Sequence, residues 1–218
     1  MTGLLCLIVV FTGFPQESDA DYRFMSTCLL DRDWVETEDT WYGLFQTDST
    51  FELRKVELQL SRSTAPLWEG ERPHPFKVEL VGESDWPLII LSSSEKEFVE
   101  GPIHTAFRNY QSLVPDTSII LEAPGIQETL LFTTEEGLFL SNGEVFQSLS
   151  DTYPGEEYSG QHVGILWAGD LDRDGRVDLI INDIDDGYFR FRWHLFLSSE
   201  AEPDSIVEMV ASFCDVYY

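Results

Sequence analysis

Positive charge is scarce in this chain: 13 lysines and arginines stand against 40 aspartates and glutamates over 218 residues, a formal net charge of −27. A field of that sign repels phosphate backbones and anionic lipid, which argues against nucleic-acid binding and against electrostatic attachment to a membrane. Cysteine is scarce too. The three present show no Cys-x-x-Cys or Cys/His spacing, so no zinc site is spelled out. The four histidines (His74, His104, His162, His194) are scattered, and no G-x-S-x-G, H-E-x-x-H or glycine-rich phosphate loop occurs. With 40 acids some carboxylate pair will always look suitable, so counting Asp and Glu cannot support a glycosidase. No internal repeat is visible, and no run is long and apolar enough to cross a bilayer as a helix.

What is present is the material of a folded domain. Hydrophobic residues make up 43% of the chain and aromatics 13%, too much for a disordered acidic tail and enough for one real core. Leu4 to Phe11 form an apolar run of secretory length, and Ser18 and Ala20 suit cleavage after residue 20. No Lys or Arg precedes Arg23, so the run also reads as a buried first strand or as following a start assigned too far downstream. A lipoprotein reading through Cys6 fails, because Leu5 sits where a small residue is needed. The expected organisation is a signal peptide over 1–20 and a single all-β domain over 21–218, secreted or periplasmic and without a stable membrane anchor. Cys28 and Cys214 would then remain. A bridge between them would restrict the unfolded chain by about 4 to 5 kcal/mol in the entropy model; two buried free thiols are the alternative.

The middle of the chain reads as β almost throughout. Strands are predicted over 41–45, 76–81, 87–91 and 118–121, with a meander through 129–133 and 138–140 and an Asn142-Gly143 two-residue hairpin into 144–147. Over 51–60 the apolar phase shifts between Leu53 and Val56, as across a bulge at Arg54 and Lys55. Residues 61–75 suit a long surface loop carrying Trp68. Frequent prolines and glycines leave no room for a convincing amphipathic helix. The fold class expected is all-β, with antiparallel sheets as a sandwich or propeller-like meander.

One segment carries chemistry. Asp170, Asp172, Asp174 and Asp178 occupy positions one, three, five and nine of a loop reading D-L-D-R-D-G-R-V-D. Gly175 at position six permits a sharp turn, which lets the carbonyl of Arg176 at position seven face the same centre. Four carboxylates in nine residues repel one another unless a hard cation sits among them. Calcium takes six to eight oxygens in a flexible shell, whereas magnesium wants a stricter octahedron, so the cofactor expected is Ca²⁺. An EF-hand or a dockerin would carry a polar ligand on a helix at position twelve; here that position is Ile181, in a β-branched run.

The stretch from Trp167 to Ile181 resembles the calcium loop of FG-GAP and VCBS-type repeats, and 162–214 resembles the end of bacterial secreted proteins carrying a single such loop. The resemblance implies a loop joining two antiparallel strands, with Asp170, Asp172, Asp174, Asp178 and the Arg176 carbonyl as ligands. The Phe-Gly and Gly-Ala-Pro pieces that name the repeat are absent, and Arg173 replaces the glycine common at position four. One loop also stands where a propeller would show several, so integrin-like ligand recognition does not follow.

Beyond the loop, Asn182 to Gly187 offers three more carboxylates, but Asp186-Gly187 at its end reads better as a hairpin turn than the run does as a second cation site. Over 189–197 the residues alternate, with Arg190, Arg192 and His194 on one face; these are expected to neutralise acids across the sheet rather than to bind a carboxylate ligand. The function expected is a secreted calcium-binding β protein acting as a binding or adhesion-type module toward a protein or glycan surface. The alternative is an extracellular hydrolase working through carboxylates.

Overall fold

A computed structural model describes residues 12–14, 22–25, 29–30, 40–48, 50–62, 76–83, 85–94, 96–150, 163–185 and 190–216. Among the described residues there is no α-helix, and the chain folds as short strands. These are β1 (Thr12–Phe14), β2 (Tyr22–Met25), β3 (Leu29–Leu30), β4 (Trp41–Gln46), β5 (Phe51–Val56), β6 (Leu58–Arg62), β7 (Phe76–Leu80), β8 (Ile89–Ser93) and β9 (Gly101–Ile103). They continue with β10 (Thr105–Leu113), β11 (Ser118–Leu121), β12 (Thr129–Thr134), β13 (Gly137–Ser141), β14 (Phe146–Ser148), β15 (Val163–Gly169), β16 (Asp178–Asp185), β17 (Arg190–Leu197) and β18 (Glu208–Val216).

The strands form three open sheets. The largest runs β10-β15-β16-β17-β18-β1-β3-β7-β6, a second runs β2-β8-β4-β5-β9, and a third is the meander β11-β12-β13-β14. All the described pairings are antiparallel except the short contact of β1 with β3. Thr12–Phe14, inside the stretch read as a leader, lies beside the end of β18. Cys28 and Trp68 fall outside the described residues; Cys214 belongs to β18.

The central sheet is covered on both faces. Trp167, Ile180, Leu195, Leu197 and Phe213 pack against Trp41, Leu44, Leu53 and Ile89 to Leu91 of the five-stranded sheet, forming one core. Their neighbours Ile165, Leu179, Ile181 and Phe196 point the other way, onto Leu121, Leu131, Leu138 and Leu140 of the meander, forming a second core. This is why Leu179-Ile180-Ile181 is an unbroken apolar run: a strand buried on both faces has no solvent side to mark with polar residues. Trp167 is fully buried and meets Phe51 edge-on at 6.2 Å. Removing such a ring costs about 3 to 5 kcal/mol.

The structure corrects two local expectations. Strand β5 pairs with β4 in unbroken register from Phe51 to Val56, with no bulge at Arg54 and Lys55. The apolar phase changes because the chain leaves the five-stranded sheet at Glu57 and enters the central sheet as β6. The turn at Asn142-Gly143 spans four residues, since Ser141 pairs with Phe146. There the Asn142 side-chain oxygen accepts hydrogen bonds from the amides of Glu144 and Val145, and Gly143 takes a φ of 87°. Asn182 to Asp185 extend strand β16, with Asp183 directly opposite Arg192, and the expected Asp186-Gly187 turn lies outside the described residues. The Asp183 carboxylate lies 3.6 Å from Arg192 Nε, which fits the expected neutralisation across the sheet, and 3.7 Å from His194 Nε2.

Among the strands that the sequence did not signal are the edge strands β10 and β9. β10 is a nine-residue edge strand, mostly exposed, with register shifts against β15 and Asn109 at a φ of 88°. β9 holds Pro102 yet pairs with β5, as an edge position allows.

Candidate metal centre

The acidic loop connects β15 to β16 at one end of the central sheet. Its entrance needs small residues: a Cβ on Gly169 would lie 2.5 Å from the His104 carbonyl oxygen and 2.4 Å from the Trp167 ring. The Asp170 amide then donates to that same carbonyl at 2.9 Å, fixing where the loop begins. Two residues of the loop turn with positive φ, Arg173 at 65° and Gly175 at 82°. Glycine meets that demand freely, whereas Arg173 holds a strained conformation and is tied down through its guanidinium. One terminal nitrogen of Arg173 donates to the carbonyls of Glu100 at 2.9 Å and Pro102 at 3.2 Å.

The loop brings Asp170, Asp172 and Asp174 together, each with a carboxylate oxygen within 4.8 Å of the others. Two oxygens on opposite sides of a calcium ion, each at about 2.4 Å, are separated by the same span. Asp170 is nearly buried; its Oδ2 accepts from the Gly175 amide at 3.1 Å, and its Oδ1 is buried without a hydrogen-bond partner among the described residues. The Asp172 side chain is fully covered. Its Oδ2 accepts from Lys96 Nζ at 2.7 Å and from the Ser199 hydroxyl, while its Oδ1 is buried and equally unpartnered. Asp174 is more exposed; its oxygens accept from the Arg176 amide and Nε at 2.8 Å, and Ser198 Oγ lies 3.1 Å from both of them. Two buried carboxylate oxygens without a donor, on acids of the same cluster, leave a strong electrostatic demand. This group can hold a metal ion, and an all-oxygen donor set of this kind favours a hard cation.

Asp178 lies outside that triad. It is completely buried; Oδ2 accepts from the Leu171 amide at 2.7 Å, and Oδ1 accepts from the amide and hydroxyl of Ser198 at 2.8 and 2.9 Å. Its carboxylate therefore staples the start of the loop to the end of β17. Arg176 turns its guanidinium back onto Asp174, at 2.7 Å from Nη2.

Burial is the main electrostatic fact here. It raises the Asp170 carboxyl above the ordinary carboxylate range, against the Gly175 hydrogen bond and with help from the charges on Asp174 and Asp172. Burial raises Asp178 well above that range too, with the Asp172 charge next in weight, against the donors at Ser198 and Leu171. A cation among these carboxylates would reverse that tendency and hold them ionised.

Lys96, Ser198 and Ser199 join the site from outside the spaced loop. Lys96 comes from the segment after β8 and carries no motif. The two serines were within reach of the sequence, because β16 and β17 form a hairpin in which Leu179 pairs with Phe196, carrying Ser198 to the level of the loop. Of the histidines, His194 is buried with Nδ1 2.6 Å from Ser212 Oγ, His104 is exposed, and His74 and His162 lie outside the described residues. Compared with known proteins, the chain matches no family model, no curated protein and no solved structure.

Proposed function

We propose that the chain is an exported calcium-binding β protein whose ion is structural, and that the domain works as a binding module rather than as an enzyme. The observation carrying the calcium reading is the pair of buried, unpartnered oxygens on Asp170 and Asp172 beside Asp174. The Arg176 carbonyl and water would complete the shell, and Asp178 is assigned to the site as a ligand or as the brace that fixes its edge. Calcium is preferred to magnesium because a six- to eight-oxygen shell tolerates a loop of mixed carboxylate, carbonyl and water donors. Export is supported by the apolar run Leu4 to Phe11 with Ser18 and Ala20 behind it. Among the described residues no helix is long and apolar enough to cross a membrane.

Extracellular calcium modules bind with dissociation constants of about 10⁻⁴ to 10⁻³ M. At about 10 mM calcium this range stabilises the fold by about 1.4 to 2.7 kcal/mol over the EDTA-treated protein. Scanning calorimetry after EDTA dialysis, with calcium and then magnesium restored, tests the reading. The midpoint should rise several degrees with calcium and less with magnesium, and Asp170→Asn with Asp172→Asn should abolish the rise. An unchanged midpoint would overturn it.

A further inference from the structure

The meander β11-β14 buries one face on the central sheet and leaves the other outward. On the outward face the register aligns Phe132 with Phe139, and next to them Ile120, Leu130 and Phe146 lie in a row broken only by Ser141. The three phenylalanine rings contact one another at 5.2 to 5.7 Å between centroids, while Phe146 remains 63% exposed and Ile120 60%. A cluster of aromatic rings packed together on the solvent face of a sheet, while the opposite face supplies the core, is the signature of an interaction surface.

The charge around it has one sign. Glu122, Glu128 and Glu144 are exposed at one end of the meander, and Asp116, Glu135 and Glu136 at the other. Residues 109–172 contain neither Lys nor Arg, so no internal cation from this stretch answers those acids. We propose that this face docks a basic polypeptide segment, whose apolar side chains seat on Phe132, Phe139 and Phe146 while flanking Lys or Arg side chains meet the acidic ends. Arg and Lys also gain from the faces of exposed rings. A second copy of the chain would bring two acidic rims together at a net charge of −27 each. A glycan would need polar side chains to fix its hydroxyls, and the outward row offers only small hydroxyl residues such as Ser118, Ser141 and Ser148 between the rings.

The test uses the full chain in calcium-containing buffer and a fluorescein-labelled peptide of alternating leucine and lysine, followed by anisotropy. Oligolysine reports attraction by charge alone, and a leucine/glutamate peptide reports apolar contact alone. The leucine/lysine peptide should bind more tightly than either, and more weakly at high salt. Phe146→Ser should weaken that binding about tenfold while leaving oligolysine binding unchanged, and Glu135→Gln with Glu136→Gln and Glu144→Gln should weaken both. Because Phe146 projects into solvent from an edge strand, its variant should keep the wild-type melting midpoint. The proposal is overturned if Phe146→Ser binds the peptide as the wild type does, or if the leucine/glutamate peptide binds equally well. It is also overturned if neutral oligosaccharides displace the peptide, or if sedimentation shows a dimer that Phe146→Ser dissolves.

Discussion

Asp178 gives the sharpest test of how the loop is held. Its carboxylate is fully buried and accepts three hydrogen bonds, two of them from the backbone amides of Leu171 and Ser198. Asp178→Ala leaves both amides buried, at about 1 to 3 kcal/mol each, and opens a small void. The saving from no longer burying a charge offsets part of that, so a net loss of about 2 to 5 kcal/mol is expected. For a chain of this size that lowers the melting midpoint by roughly 5 to 15 °C. Asp178→Asn keeps one accepting oxygen but turns an amide donor toward the second backbone N–H, so about half the loss should remain. The assay is thermal unfolding of both variants with calcium and with EDTA. A brace predicts nearly the same loss in either buffer, whereas a residue that acts only by binding the ion predicts a loss confined to calcium. A drop below about 1 kcal/mol in EDTA for Asp178→Ala would refute the hydrogen-bond reasoning.

Four further outcomes follow from the same contacts. In the absence of a metal, Asp178 and Asp170 have folded-state pKa values raised by burial, so the folded protein binds more protons than the unfolded chain above the ordinary carboxylate range. The melting midpoint of EDTA-treated protein should therefore fall as pH rises through that window, and the calcium-induced rise should grow; a pH-independent calcium effect would contradict this. Lys96→Met removes the ammonium 2.7 Å from Asp172 Oδ2, which would compete with a bound ion for that oxygen. Calcium titration should show severalfold tighter binding while the EDTA-treated variant loses about 1 kcal/mol. Arg173→Ala keeps the positive φ and loses both tethers to the β9 segment, costing about 1 to 2 kcal/mol, whereas Arg173→Gly relieves the strain and should come out close to neutral by denaturant melts. Gly175→Ala places a Cβ at a φ of 82°, with the Gly125 carbonyl 3.4 Å away; the strain of about 1 to 2 kcal/mol should appear as roughly tenfold weaker calcium binding.

The parts of this fold that could be read ahead are those where burial writes itself into the residues. The meander was visible because Leu131, Leu138 and Leu140 alternate with outward residues between turn signals, and the loop was visible because its acids and glycine fall at fixed positions. What escaped was set by contacts distant in the chain. β10 pairs along an edge and needs few apolar residues, so Thr105 to Leu113 carries no period. The phase change between Leu53 and Val56 looked like a bulge because a local pattern cannot distinguish an extra residue from a coming change of sheet. Lys96 reaches Asp172 across 76 residues, a contact for which the chain carries no local mark. Arg173 at position four was legible as a departure, and its reason is visible only in space, where the strained residue is anchored to Glu100 and Pro102.

The placement of the loop explains why one ion could matter to the whole domain. Leu171 is buried in the core beneath the five-stranded sheet, and Val177, six residues on, is buried in the core beneath the meander. Arg173 reaches the carbonyls of the β9 segment, while the Gly175 carbonyl accepts from the Gln127 amide just ahead of β12, and Asp178 holds Ser198 at the end of β17. The nine residues thus touch all three sheets. Repulsion among their carboxylates acts on every one of these anchors at once, because each anchor depends on the loop keeping a single shape. Neutralising the charge at Asp170, Asp172 and Asp174 would therefore tighten both cores together, which is the physical case for an ion that stabilises the domain rather than one confined to a surface turn.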